Sequence, residues 1–207
     1  MELSKKYVLK FFGDTFKDIS SPPWYTTIYY YLTDRRYGDT RRIDKFLSEQ
    51  LITPHPDLVS VAKTLRESAS SQDDLVIKIL RYVYSRVTYT SDSANFGVSE
   101  VWASAYDVWF SKKDDCDGMN SLIYILARLA GISDLKLWSA IGDVKEGGHY
   151  WLFYFSTETD KWYSIDSTYY PDFTKIPYRE KFEFKESRYV EAWCVFNEQY
   201  MLKQRKL

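Results

Sequence analysis

Cys116, His149 and Asp166 occur in this chain in an order, and in local settings, that suit nucleophilic attack on a carbonyl. A thiolate attacks, an imidazole carries the proton, and a carboxylate fixes the imidazole's tautomer and stabilises its cation. Cys116 follows Asp114-Asp115, residues suited to capping a helix. It precedes Met119, Leu122, Ile123, Leu126, Leu129 and Ala130, whose spacings of three and four predict a helix stopped by Gly131. In the first turn of such a helix the unsatisfied N–H groups and the positive dipole end favour a thiolate and can hold an oxyanion. A free thiol titrates near ~8.5, so a depression of about 1.5 units, supplied by the helix end and an imidazolium, would bring the thiolate to about half at neutral pH. The flanking Asp114, Asp115 and Asp117 oppose that shift, which makes a cationic partner more important. Cys116 stands three residues before Met119 and four before Asn120, on the helix face that turns inward.

The chain has two histidines. His55 lies between two prolines in a polar loop and reads as a surface residue. His149 opens the run HYWLFYF, where alternation sets it on one face with Trp151, Phe153 and Phe155. Asp166 ends the run KWYSID on the face of Trp162 and Ser164, and the polar STETD between the runs predicts a β-hairpin. Closed by the four-residue loop STET, the hairpin sets His149 directly opposite Asp166; closed by TETD, it makes Asp166 a diagonal neighbour on the same face. Either register brings acid and imidazole together.

The elements around these residues fit an α+β class within one domain, residues 1–207. Residues 1–70 read as a helical extension, with an amphipathic opening segment, a Pro22-Pro23 break, a stretch around Arg41 to Gln50 and the loop TPHPD. Residues 71–207 form the expected catalytic core. Asp73 to Arg86 carries helical spacings, Val87 to Thr90 turns strand-like, the stretch from Tyr178 to Phe196 predicts further antiparallel strand, and the tail ends in the basic KQRKL. With 28 Lys+Arg against 29 Asp+Glu the net charge is -1, so no whole-chain field recruits nucleic acid or an anionic membrane. A hydrophobic content of 45% with 18% aromatics excludes a disordered chain. No run approaches the ~18 apolar residues of a membrane span, and the first residues lack a secretory signal's apolar core, so a cytoplasmic setting is expected. There the two cysteines are expected as free thiols, with Cys194, among apolar neighbours in EAWCVF, as inert core.

The segments DDCDGMNSLIYILARLAGI, GGHYWLFYF and KWYSIDST resemble, in that order, the nucleophile helix, histidine strand and aspartate motif of the transglutaminase-like superfamily. The resemblance covers about residues 74–170, and the Cys-to-His and His-to-Asp separations sit closest to the compact bacterial transglutaminase-like cysteine proteinases. It implies a papain-like core, with the nucleophile helix packed on an antiparallel sheet, and thioester chemistry at Cys116. The expected activity is therefore cysteine-dependent amide hydrolysis, by a peptidase or amidase, on a protein or peptide substrate. Protein-glutamine acyl transfer, or a non-catalytic binding module on the same fold, are the alternatives. An aromatic N–H upstream of the nucleophile often completes the family's oxyanion hole; Trp102 is the candidate by position, Trp109 competes, and an ordinary core role stands beside both. In the proteinase branch an acid follows where this chain has Gly118, in DCDG, and calcium binds nearby. Asp114, Asp115 and Asp117 alone do not fill calcium's six to eight oxygens, and one Cys with one His falls short of a zinc set, so no metal or other cofactor is expected.

Overall fold

A computed structural model describes residues 3–13, 16–18, 31–34, 39–173 and 188–204. In chain order the elements are α1 (Lys5–Gly13), β1 (Phe16–Asp18), β2 (Tyr31–Asp34), β3 (Asp39–Arg42), α2 (Ile43–Ile52), α3 (Pro56–Ser68), α4 (Gln72–Arg86), β4 (Thr88–Tyr89), α5 (Asp92–Phe96), α6 (Ala105–Ser111), β5 (Lys113–Asp114), α7 (Cys116–Leu129), β6 (Leu137–Val144), β7 (Gly147–Ser156), β8 (Lys161–Ile165), β9 (Tyr189–Phe196) and β10 (Met201–Gln204). The main sheet runs β1-β10-β9-β6-β7-β8, antiparallel throughout.

Helix α7 is the centre of the fold. Asp115 caps it, its side chain accepting the Asp117 N–H at 3.2 Å. At the other end Gly131, at φ 94°, lets the chain turn back. The N–H of Ile132 reaches the Ala127 carbonyl and that of Gly131 reaches Arg128, a paired closure that satisfies the last carbonyls of the helix. Between these ends lie Leu122, Ile123, Tyr124, Ile125 and Leu126, all fully buried. They pack in one core with Leu75, Ile79, Leu80 and Val83 of α4, Val108 of α6, and Tyr150, Leu152 and Tyr154 of β7. Each such side chain contributes about 1.5–3 kcal/mol on burial, which is why α7 is so firmly seated.

Alternation along β7 sends Trp151, Phe153 and Phe155 to the opposite face of the sheet, where they form a second core with Trp138, Trp162, Val195 and, from α1, Val8 and Phe12. The Phe12 ring lies 4.9 Å from Trp138 and 5.4 Å from Trp162. The high aromatic content is thus spent on a sheet covered on both faces.

Residues 1–70 depart from a purely helical extension. Helices α1, α2 and α3 are present, but β1 adds to the sheet edge beside β10, and β2 pairs with β3. Phe46, Leu47, Leu58 and Ala62 join the core around α7. Strands of three or four residues carry too little periodicity to announce themselves, and their partners decide them. The Pro22-Pro23 break, the first part of the strand expected from Tyr178 onward, and the end of the basic tail lie outside the described residues.

Candidate active site

Cys116 is the first residue of α7, as its spacing from the capping aspartates requires. The main-chain N–H of Tyr150, on β7, faces its sulfur and favours the thiolate. His149 is the residue before Tyr150, so one peptide unit of β7 ties the imidazole's position to the nucleophile's. The hairpin closes in the TETD register, with Leu152 opposite Ile165 and Ser156 opposite Lys161. Asp166 falls just beyond the last paired residue, turns back through a bridge to Tyr170, and meets the imidazole. His149 Nε2 lies 2.7 Å from Asp166 Oδ2, and both side chains are almost completely buried. An ionised carboxylate only accepts, so Nε2 carries a proton in this bond, and in the neutral ring Nδ1 is then the nitrogen with the lone pair.

Asp166 is surrounded by donors. Oδ2 also accepts the Tyr189 hydroxyl at 2.8 Å, and Oδ1 accepts the Thr168 N–H at 2.9 Å and the Asn120 amide at 3.0 Å. Burial pushes its carboxyl up, but the His149 bond and charge, with Asn120 and Tyr189, outweigh it and hold the group below the usual range. Neither Asn120 nor Tyr189 was singled out from sequence as a partner of Asp166. The one available signal was that Asn120 stands four residues after Cys116 on the same helix face.

The nucleophile's side differs from expectation. Burial pushes the Cys116 thiol well up, and Asp115 and Asp117 push it further; the Tyr150 N–H pulls the other way without overcoming them. The direction is thus opposite to the depression anticipated from a helix N-terminus and an imidazolium: Cys116 is partly buried, and neighbouring carboxylates add to the cost of desolvating a thiolate. Asp117 is itself held well above the usual carboxylate range by burial and by Asp115, Asp114 and Asp92. Asp92 is the member of this group that sequence reasoning missed. The short parallel pairing of β4 with β5 sets Tyr89 beside Asp114, and Asp92 follows in the next turn of chain. Carboxylate oxygens of Asp92, Asp114 and Asp115 lie within 4.8 Å of one another. Gly118 makes room for this arrangement, since a Cβ there would come within 2.3 Å of Asp114 Oδ2.

Aromatic residues frame the site. Tyr169 lies 5.0 Å from the His149 ring and is covered by the Arg188 guanidinium at 4.1 Å. Tyr89, half exposed, has its phenol pushed up to about 12 by burial, with Cys116 and Asp115 as acidic neighbours adding to it. Trp102 stands edge-on to Tyr150 at 5.4 Å, but its indole N–H donates to Glu100 at 2.8 Å. Trp109 gives its N–H to the Tyr82 hydroxyl at 2.9 Å. His55 is not a bare surface residue: it caps α3 and stacks on Tyr106 at 3.5 Å. Cys194 is buried on β9, and Cys116 and Cys194 form no disulfide.

No protein-family model and no curated protein sequence matches the chain. Among solved structures it is similar to LapG of Legionella pneumophila, with a TM-score of 0.54 at 14% identity over 79% of this chain and 87% of that one. The EGTA-treated form of the same protein gives a TM-score of 0.54 at 14% identity, over 79% and 85%. A structure described as a TGase gives 0.41 at 21% identity, over 61% of this chain and 31% of that one. The chain has the transglutaminase-like fold: a helix that begins at a cysteine, packed on an antiparallel sheet. Among the described residues no helix is long and apolar enough to cross a membrane.

Proposed function

We propose that the chain is a cysteine-dependent amide hydrolase, a peptidase or amidase, acting through a thioester on Cys116 with His149 as base and Asp166 as orienting acid. The observation that carries this reading is the buried 2.7 Å pairing of His149 Nε2 with Asp166, on the strand whose next N–H faces the Cys116 thiol. The burial and the carboxylates that push the Cys116 thiol up favour His149 as a general base over a preformed ion pair. Its Nδ1 takes the proton from Sγ as the sulfur bonds to the substrate carbonyl carbon. The resulting oxyanion lies at the start of α7, where the first N–H groups have no intrahelical acceptor. Collapse breaks the C–N bond, and the imidazolium returns the proton to the leaving amine. Water, deprotonated by His149, then attacks the thioester; the C–S bond breaks, carboxylate leaves, and the thiol is restored. Trp102 joins the oxyanion site only if its N–H leaves Glu100.

Asp92, Asp114 and Asp115 bring hard oxygen donors within 4.8 Å of one another and would hold a divalent cation such as calcium only with main-chain carbonyls or water completing its six to eight oxygens. The expectation of no metal counted Asp117 and lacked Asp92. Such an ion would offset the negative charge that pushes the thiol up. The proposed substrate is a protein or peptide, with no nucleic acid or membrane partner, in a cytoplasmic setting.

Water is present at roughly 55 M, so transfer to an amine prevails only where a site positions that amine, the advantage that effective molarities of about 10⁵ M describe. The test is incubation with glutamine- and peptide-amide substrates plus a millimolar primary amine, read by mass spectrometry. Carboxylate product, lost in Cys116→Ala, is expected. Predominant amine adduct would make the chain an acyltransferase, and no product with any substrate would leave a binding module.

A further inference from the structure

Asn120 is fully buried on α7, one turn after the nucleophile. Its Nδ2 lies 3.0 Å from the Cys116 carbonyl on its own helix, 2.8 Å from the Tyr150 carbonyl on β7, and 3.0 Å from Asp166 Oδ1 at the end of β8. Thr168 Oγ1 stands at the limit of reach, at 3.5 Å. An amide nitrogen carries two hydrogens, so the three nearer acceptors share them in bent or three-centre bonds. Among the described residues the amide oxygen, Oδ1, meets no donor. Flipping the side chain would turn an oxygen toward three acceptors, so its orientation is dictated by the site. A buried acceptor left unmatched costs about as much as a lost hydrogen bond, and native proteins keep such atoms where something else requires the group. What requires it here is that one NH2 reaches the three segments carrying Cys116, His149 and Asp166.

We propose that Asn120 is a positioning residue that holds the nucleophile's helix, the histidine strand and Asp166 in one mutual register. This rests on the triad reading given above. Asn120 touches neither Cys116 Sγ nor the imidazole; it acts through Asp166 and the two carbonyls. Thr168 N–H and Tyr189 hold Asp166 from the strand side, so Asn120 is the side-chain contact that ties the acid to the helix bearing the thiol. With that tie cut, Asp166 can turn about its strand end, and His149 loses the acceptor that selects the Nε2–H tautomer.

The test compares wild type with Asn120→Ala, Asn120→Ser and Tyr124→Phe. The last alters a hydroxyl on the same helix that bonds Glu198, away from the site. Histidine ring nitrogens are read by 15N NMR, with His55, the other histidine, as internal reference. Alkylation of Cys116 by iodoacetamide and melting temperature are measured in parallel. Wild type and Tyr124→Phe should show His149 as one Nε2–H tautomer. Asn120→Ala should show a tautomer mixture and alkylation slower by about tenfold, the scale of losing a hydrogen bond to a charged group. If Asn120→Ala does not fold, Asn120→Ser decides. Its hydroxyl can bond the Cys116 carbonyl and preserve the helix, but it is too short for Asp166, and the same tautomer mixture is expected. A folded Asn120 variant with a single Nε2–H tautomer and unchanged alkylation overturns the proposal. Failure of the triad reading is distinguished by His149→Ala: alkylation unaffected by that change would sink the base role, whereas the tautomer spectra still report on Asn120.

Discussion

Asp166 and Asp117 flank the same thiol, and both are buried, yet the fold treats them in opposite ways. Around Asp166 it gathers His149, Tyr189, Asn120 and the Thr168 N–H, and the carboxyl is held below its usual range. Around Asp117 it gathers other acids, and the carboxyl is pushed well above that range. Burial opposes the charge in both places; the difference lies in what replaces water, donors on one side and like charges on the other. One region is thereby ready to support an imidazolium. The other sets like charges together, so the charged form is disfavoured there.

The sharpest break in this comparison comes from the donor side. Cys116→Ala should abolish turnover with the fold intact, while Cys194→Ala should retain it, as followed by product mass spectrometry and melting temperature. Asp166→Asn should lower kcat by about 10⁴-fold, the scale seen when a triad acid is replaced and the histidine adopts the wrong tautomer. Substitution of Asp117 by Asn should not approach that loss.

A smaller effect is expected of Tyr189→Phe, which removes one donor from Asp166 and leaves the ring packed beside Trp151 and His149. Loss of a hydrogen bond to a charged group costs about 1.5–3 kcal/mol, so kcat/KM should fall roughly 10- to 100-fold. The carboxyl then titrates at higher pH, and since Asp166 acts as the anion, the acid limb of the kcat/KM profile should move upward in pH. An unmoved limb would mean that Tyr189 supports packing alone.

On the acidic side, Gly118→Ala tests the close approach of Asp114. The added Cβ meets Asp114 Oδ2 at 2.3 Å and its Cβ at 2.8 Å. Overpacking of this kind costs about 1–3 kcal/mol, against a helix-propensity gain of up to about 1 kcal/mol, so the melting temperature should fall. A rise would show that Asp114 moves aside freely.

The smallest effects concern charge. A carboxyl raised in the folded state contributes stability that is fully present below its unfolded pKa of about 4 and is lost as pH rises through the folded value. In chelator-treated protein, Asp117→Asn should therefore raise the melting temperature at neutral pH, by about 2–4 °C for each kcal/mol relieved, and the gain should shrink as pH falls toward 4. Asp166 contributes in the reverse sense, with stability present above about pH 4 and lost below it as the anion is protonated. Millimolar calcium should raise the wild-type melting temperature by relieving the same repulsion, and Asp92→Asn should reduce that rise. A melting temperature indifferent to calcium and chelator would return the cluster to capping and solvation.

What the sequence alone determined were features settled within a few residues. The helix that starts at Cys116 was legible because Asp115 caps it and Gly131 ends it, both acting within one turn. The hairpin was legible because two aromatic runs flank a polar loop, and His149 and Asp166 were adjacent in either of two registers. Choosing TETD over STET took the whole sheet, because the face presented by each run is decided by what packs on it. Of the donors on Asp166, Asn120 comes from α7 and Tyr189 from β9, 46 residues before it and 23 after. Asp92 reaches Asp114 and Asp115 only through the β4–β5 pairing. Trp102 was placed near the nucleophile by position, but the direction of its N–H was set by Glu100. The direction of the shift at Cys116 turned on the same kind of fact: a helix terminus and the flanking aspartates are local properties, whereas burial arises only when β7 and other distant segments pack beside the residue.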